Sequence, residues 1–292
     1  MNWLAPFICK ALASLPLSWL RALGVGMGNI TWLLNPRLVS HSQDNIAHCL
    51  PELAPKEQNQ LARESVKSTI TTMLEAGFIW LNSWESLERK IIRREGEALL
   101  LEKAAAGKGV IILAPHMGNW EVVGPYIASL ARLTIMYKPF ENKAIDRMVF
   151  GGRSKLNIDM VPTNRRGVLT FLKVLGQGGM IGILPDHVPN QASGSLLAPF
   201  FKQPALTMTL VQSLVQRTGC SVCCCVAERV AGGFVIHVLE ADPRIFSEDI
   251  NESTQGLNAS VEACIRLMPA QYQWGYKRFR HLPTPLINIY RR

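Results

Sequence analysis

The sequence predicts an α/β fold with a mostly parallel central sheet, and three features carry that prediction. Val110-Ile111-Ile112-Leu113-Ala114 and residues 180–184 are continuous apolar runs, as expected of strands covered on both faces. Each run stops at a proline, Pro115 or Pro185, and a polar residue follows at once, His116 or Asp186. Between the runs, residues 120–130 have helical periodicity and Leu133–Tyr137 reads as a further strand, which completes a βαβ unit.

At the N-terminus, residues 1–36 form an apolar segment ahead of a main domain over 37–292. Lys10 and Arg21 interrupt it, so no uncharged run reaches the roughly 18 residues of a membrane-spanning helix. Trp3, Trp19 and Trp32 suit a membrane interface. Two readings stay open: helices lying in one leaflet, or a buried helical hairpin. Gly24-x-Gly26-x-Gly28 follows no strand, so it fits close helix packing better than a dinucleotide loop.

Pro55 opens an amphipathic helix carrying Leu61, Val66, Ile70, Met73, Phe78 and Leu81. Residues 97–106 make another helix, stopped by Gly107. Further on, residues 203–218 read as a helix, 221–227 and 233–239 as antiparallel strands, and 257–268 as a helix.

The chemistry concentrates at the end of the first apolar run. His116 falls in the turn, Asn119 is a candidate N-cap, and Glu121 sits in the first turn of the following helix. Positions i and i+5 share no helix face, so His116 and Glu121 meet only if the turn folds the imidazole back. A carboxylate on one imidazole nitrogen fixes the tautomer and lets the other act as a general base towards a hydroxyl. The plain alternative is a locally packed histidine with Glu121 complementing the helix dipole. Asp186 leaves its strand as His116 does. It can orient Arg153 or the His116 loop, or simply form a turn.

These residues carry a resemblance. His116-Met117-Gly118-Asn119-Trp120-Glu121 resembles the His-x4-Glu motif of the bacterial lipid A late acyltransferases, the lauroyl/myristoyl transferase family, related to the glycerol-phosphate acyltransferases. Residues 45–53 (NIAHCLPEL), Tyr137-Lys138-Pro139, Arg153, Pro185-Asp186-His187, Pro199-Phe200-Phe201 and residues 269–280 resemble further motifs of that family in the right order. The resemblance implies a three-layer acyltransferase domain with an N-terminal membrane-associated helical segment, at the cytoplasmic face of the cell inner membrane. It implies transfer of a fatty acyl chain from acyl carrier protein, or acyl-CoA, to a hydroxyl of a lipid A precursor in lipopolysaccharide biosynthesis. His116, Glu121, Arg153 and Asp186 are then the expected catalytic set, with Glu121 orienting His116, Arg153 and backbone N–H groups stabilising the oxyanion or gripping phosphate, and Asp186 supporting that geometry. No metal or redox cofactor is expected. Val188-Pro189-Asn190-Gln191-Ala192-Ser193-Gly194, Ala270 and Gly275-Tyr276 depart from the family pattern, which leaves two alternatives open. One is another acceptor, such as an ornithine lipid, an aryl polyene or a phosphatidylinositol mannoside. The other is a non-catalytic lipid-binding protein of the same fold, against which the intact His116/Glu121 pair argues.

Composition agrees with acidic, lipidic partners. The chain has 292 residues, is 48% hydrophobic and 18% charged, and carries a formal net charge of +9. That charge suits an acidic carrier protein, a phosphorylated glycolipid or an anionic membrane surface. Arg165 and Arg166, in a basic stretch between residues 142 and 173 that also holds Lys143, Arg147, Arg153, Lys155 and Lys173, are candidate phosphate ligands, and Lys138 and Asn119 join them as substrate-binding candidates. No nucleic-acid partner is expected, because the basic residues are not interleaved with aromatics in a recognisable module. The seven cysteines read as reduced core residues. No G-x-S-x-G elbow, Walker A loop or H-E-x-x-H motif occurs.

Overall fold

A computed structural model describes residues 10–154, 156–189, 194–280 and 289–290. Trp3, Lys155, residues 190–193 and the basic tail from His281 lie outside them. In chain order the elements are α1 (Leu17–Leu34), α2 (Pro36–Cys49), α3 (Pro55–Leu81), α4 (Trp84–Glu88), β1 (Ile91–Glu95), α5 (Glu97–Ala105) and β2 (Val110–Leu113). They continue with α6 (Trp120–Leu130), β3 (Leu133–Tyr137), α7 (Lys143–Ser154), β4 (Ile158–Pro162), α8 (Arg165–Gly176) and β5 (Met180–Ile183). Last come β6 (Ser195–Phe200), β7 (Gln203–Met208), α9 (Leu210–Thr218), β8 (Ser221–Val230), β9 (Gly233–Glu240) and α10 (Ile250–Leu267).

Seven strands form one sheet in the order β1-β9-β8-β2-β5-β3-β4. Only β8 and β9 pair antiparallel; the other neighbours are parallel. The apolar runs explain the centre. Along β2, Ile111 and Leu113 pack into one core with α8, α9 and α10 residues, while Val110 and Ile112 pack into another with α1, α3 and α6 residues. Strands β5 and β8 alternate in the same way, so helices cover both faces and the fold is three-layered. Cys223, Cys224 and Cys225 sit in this buried strand as free thiols. Burial pushes each of them up, with a Cys264 hydrogen bond the larger cause at Cys224.

Strand β5 lies between β2 and β3. Its register sets Leu113 against Ile183, a sequence offset of seventy residues. Three residues beyond each, the same offset sets His116 beside Asp186.

The helix expected over 203–218 is corrected. Its first part is strand β7, paired with β6 in a two-stranded antiparallel hairpin, and only Leu210–Thr218 is helical. The hairpin turns through Phe201 and Lys202, both with positive φ (48° and 63°), so none of the usual Asn or Gly marks it.

Helix α1 packs along α3 through its glycines. A Cβ at Gly24 would lie 2.8 Å from Thr71 Cα, and one at Gly28 would lie 2.6 Å from Lys67 Cα; Gly26 faces open space. Leu17, Leu20, Gly24 and Gly28 are buried. Trp19 (67% exposed), Leu23, Met27, Ile30 and Leu34 form an exposed, uncharged stripe beside that buried face. No helix among the described residues is long and apolar enough to cross a membrane.

Candidate active site

The turn between β2 and α6 is held by its own backbone. Met117 N–H donates to Pro115 O at 2.7 Å, Gly118 N–H to Gln271 O at 2.9 Å, and Asn119 N–H to Ala227 O at 2.8 Å. Gly118 has φ +56°, and a Cβ there would stand 2.0 Å from Ala227 O, so glycine alone fits.

His116 is gripped by Asp186. Its backbone N–H donates to Oδ2 at 3.0 Å and its Nδ1 lies 2.9 Å from Oδ1. Asp186 is only 2% exposed. Burial alone would raise its carboxyl, but the charge and hydrogen bonds of His116 hold it down at about 2. An ionised Asp186 accepts, so Nδ1 carries the proton and Nε2 keeps the lone pair. The ring is also bounded by the edge of Trp120 (centroids 5.1 Å apart) and by the flat face of His187 (3.7 Å, 4° between planes). Burial first, and the neighbouring His116 charge second, lower His187 to about 4.

Glu121 does not hold His116. Its carboxylate accepts from Arg153 Nη2 at 2.7 and 2.8 Å and from Trp80 Nε1 at 2.8 Å. The reason is positional. The strand register puts Asp186 at the imidazole, whereas Glu121, one residue inside α6, is bound by residues of α3 and α7. The turn amides of residues 116–119 are likewise already donated, so the oxyanion role expected of backbone N–H groups does not fall to them.

Glu121 and Arg153 line a cavity of about 100 Å³ that opens to the surface. The rest of its wall is mostly aliphatic, with Ile112, Val123, Ile127, Leu133, Ile135 and Ile158. Trp120 lines the same cavity while touching His116, so the cavity and the imidazole share a wall.

Asn119 is fully buried and occupies the N-cap position of α6, but its side chain makes no capping bond. Its amide donates to Glu75 Oε2 at 2.9 Å. Glu75, also fully buried, is paired with Arg21 of α1 (2.6 Å) and Arg229 of β8 (2.8 Å). Arg229 reaches Ser68 and Thr72 too, and Thr72 Oγ1 donates to Gly118 O at 2.8 Å. This buried network braces the turn from behind, and sequence reasoning missed it. Its one sequence signal is Glu75 and Thr71-Thr72 inside a helix stretch of otherwise core character. Lys138, Arg165 and Arg166 are exposed and do not line the cavity. No group of three His, Cys, Asp or Glu suited to a metal ion occurs among the described residues.

Comparison with known proteins gives a consistent answer. A family model described as bacterial lipid A biosynthesis acyltransferase matches residues 1–281. The chain is 23% identical over 295 aligned positions to the lipid A biosynthesis lauroyltransferase of Escherichia coli (strain K12), covering 99% of this chain and 94% of that one. It is 24% identical to the lipid A biosynthesis palmitoleoyltransferase of the same strain, with the same coverage. A lipid A biosynthesis acyltransferase of Haemophilus influenzae is 27% identical over 69% of this chain and 64% of its own length.

Proposed function

Since the chain belongs to the bacterial lipid A biosynthesis acyltransferase family, and so is a transferase, we propose that it moves a fatty acyl chain from an acyl carrier protein thioester to a hydroxyl of a lipid A precursor. The observation that carries this reading is the wall shared between the Asp186–His116 pair and a lipophilic cavity with one ion pair in its lining.

In this mechanism His116 Nε2 takes the proton of the acceptor hydroxyl as its oxygen attacks the thioester carbonyl. A C–O bond forms and a tetrahedral oxyanion results. Asp186 keeps Nδ1 protonated and supports the imidazolium. The Arg153 guanidinium in the cavity lining stabilises the oxyanion, with Glu121 fixing its direction. Collapse breaks the C–S bond, and the thiolate leaves with the proton from His116 Nε2. The acyl tail occupies the aliphatic cavity.

The same reading places the protein on the cytoplasmic face of the inner membrane. Trp19, Leu23, Met27, Ile30 and Leu34 of α1 enter the interface, and the net charge of +9 favours an anionic surface and an acidic carrier. Lys138, Arg165 and Arg166 remain candidates for phosphate and carrier contact at the surface. No redox or metal chemistry enters the scheme.

The test is acyl transfer followed by mass spectrometry, with carrier-protein and CoA thioesters of several lengths, a tetra-acylated lipid A precursor, and His116→Ala as control. A gain of one acyl mass that the variant lacks is expected. His116-dependent loss of thioester without gain on this lipid would overturn the acceptor; preference for CoA would overturn the donor.

A further inference from the structure

The motif that the mechanism leaves unused is His187, together with the C-terminal turn that packs on it. Its ring lies flat on His116, with centroids 3.7 Å apart and planes 4° from parallel. Tyr276 covers its other face at 4.0 Å and 17°, and the Arg280 guanidinium lies over Tyr276 at 5.3 Å. The stack is built in. Tyr276 Oη accepts from Val188 N–H at 2.9 Å, Arg280 Nη2 donates to Val188 O at 3.4 Å, and Gln273 N–H donates to His116 O at 3.1 Å.

A centroid separation of 3.7 Å puts the two ring faces in van der Waals contact. Two neutral rings gain little electrostatically from facing each other, because their quadrupoles repel. A cation over a neutral ring is attracted instead. The arrangement therefore suits the pair best when His116 carries the extra proton and His187 does not. Burial disfavours a charge on His187 and lowers it to about 4. Its Nε2 is buried and finds no hydrogen-bond partner among the described residues, which also fits a ring held for its face.

We propose that His187 is a positioning residue whose neutral ring, backed by Tyr276, is shaped to the imidazolium that His116 becomes during acyl transfer. The proposal rests on the acyltransferase reading above. Because the ring meets the imidazolium more favourably than the imidazole, it lowers the barrier rather than tightening substrate binding.

The experiment compares His187→Ala and His187→Phe in the full chain, in detergent, with wild-type thermal melts as the folding control. The phenyl ring keeps the stack and cannot ionise; alanine removes it. In the transfer assay, His187→Ala should lose roughly 3- to 30-fold in kcat, the range of one cation–π contact, with KM nearly unchanged. His187→Phe should stay within about threefold of wild type. Wild-type kcat in the alanine variant overturns the proposal, and so does a phenylalanine variant as slow as alanine. Carbethoxylation of His116 by diethyl pyrocarbonate, followed by peptide mass spectrometry, reads the clamp without the reaction. Faster labelling in His187→Ala than in wild type is expected, and equal rates overturn the clamp. If wild type transfers no acyl group, the functional reading falls while this second readout still decides the stack.

Discussion

Asp186 binds His116 twice, through the backbone N–H at 3.0 Å and through Nδ1 at 2.9 Å. The double contact fixes both where the imidazole sits and which nitrogen carries the proton. Asp186→Asn keeps the shape but offers one donor and one acceptor, so the ring is free to reverse its tautomer. The expected outcome is a fall in kcat of about 10²–10⁴-fold, the usual worth of general-base help, with a smaller change in KM. A kcat within a few-fold of wild type in steady-state transfer would leave Asp186 as a turn residue only.

Glu121 and Arg153 act as one unit in the cavity wall, at 2.7 and 2.8 Å. Removing either should cost nearly as much as removing both. A double-mutant cycle of Glu121→Gln and Arg153→Met, read as kcat/KM, should give a coupling of about 1–3 kcal/mol. Additive losses would show two independent roles.

Chain-length selection should answer to Gly182 in β5. A Cβ there would lie 3.0 Å from Ile135 Cγ2, and both residues line the cavity. Gly182→Val narrows the space available to an acyl tail. Product mass spectra with mixed donors should shift to shorter chains, with discrimination of about 1–3 kcal/mol per excluded methylene. An unchanged product distribution would place the tail elsewhere.

Stability should fall in two acid windows. His187 titrates near 4 in the fold, below its ordinary 6.5, so the unfolded chain takes its proton first and stability declines as pH drops from about 6.5 to 4. Asp186, held at about 2 against an ordinary 3.8, contributes stability above 3.8 that is lost as pH falls towards 2. The first window is worth roughly 3 kcal/mol and the second roughly 2 kcal/mol. Urea melts of His187→Phe should show a shallower first decline than wild type, and melts of Asp186→Asn a shallower second one, with the remainder left to His41, His48 and the other carboxylates held low.

The outward stripe of α1 gives a lipid test. Trp19→Glu with Ile30→Glu puts two charges on the exposed apolar face and leaves the glycine face against α3 untouched. Flotation with vesicles containing anionic lipid should drop at least tenfold while the melting temperature holds. Undiminished flotation would move the membrane contact to another surface.

The sheet and the motif turn were legible because their signals are local. A buried strand reads as an unbroken apolar run, and Pro115 and Pro185 mark where β2 and β5 stop. The partner of His116 was harder. Asp186 and Glu121 are both carboxylates at plausible places, and only the β2–β5 register decides between them. The family resemblance paired His116 with the nearer carboxylate, Glu121, whereas the structure pairs it with Asp186, because hydrogen-bonded strands constrain position more tightly than five residues along a turn. Strand β7 was read as the start of a helix because the Phe201-Lys202 turn before it adopts positive φ without glycine. Glu75 was invisible because its counter-charges, Arg21 and Arg229, are brought in by tertiary packing.

Arg21 has a practical consequence. The segment that makes the protein greasy also supplies half of the positive charge neutralising Glu75, and Glu75 in turn holds Asn119 beside the reactive histidine. Trimming the first 36 residues to obtain a better-behaved sample would therefore strip a counter-ion from a sealed carboxylate. The shortened protein would lose both its grip on lipid and the geometry of its catalytic turn, so inactivity of such a fragment would not separate the two.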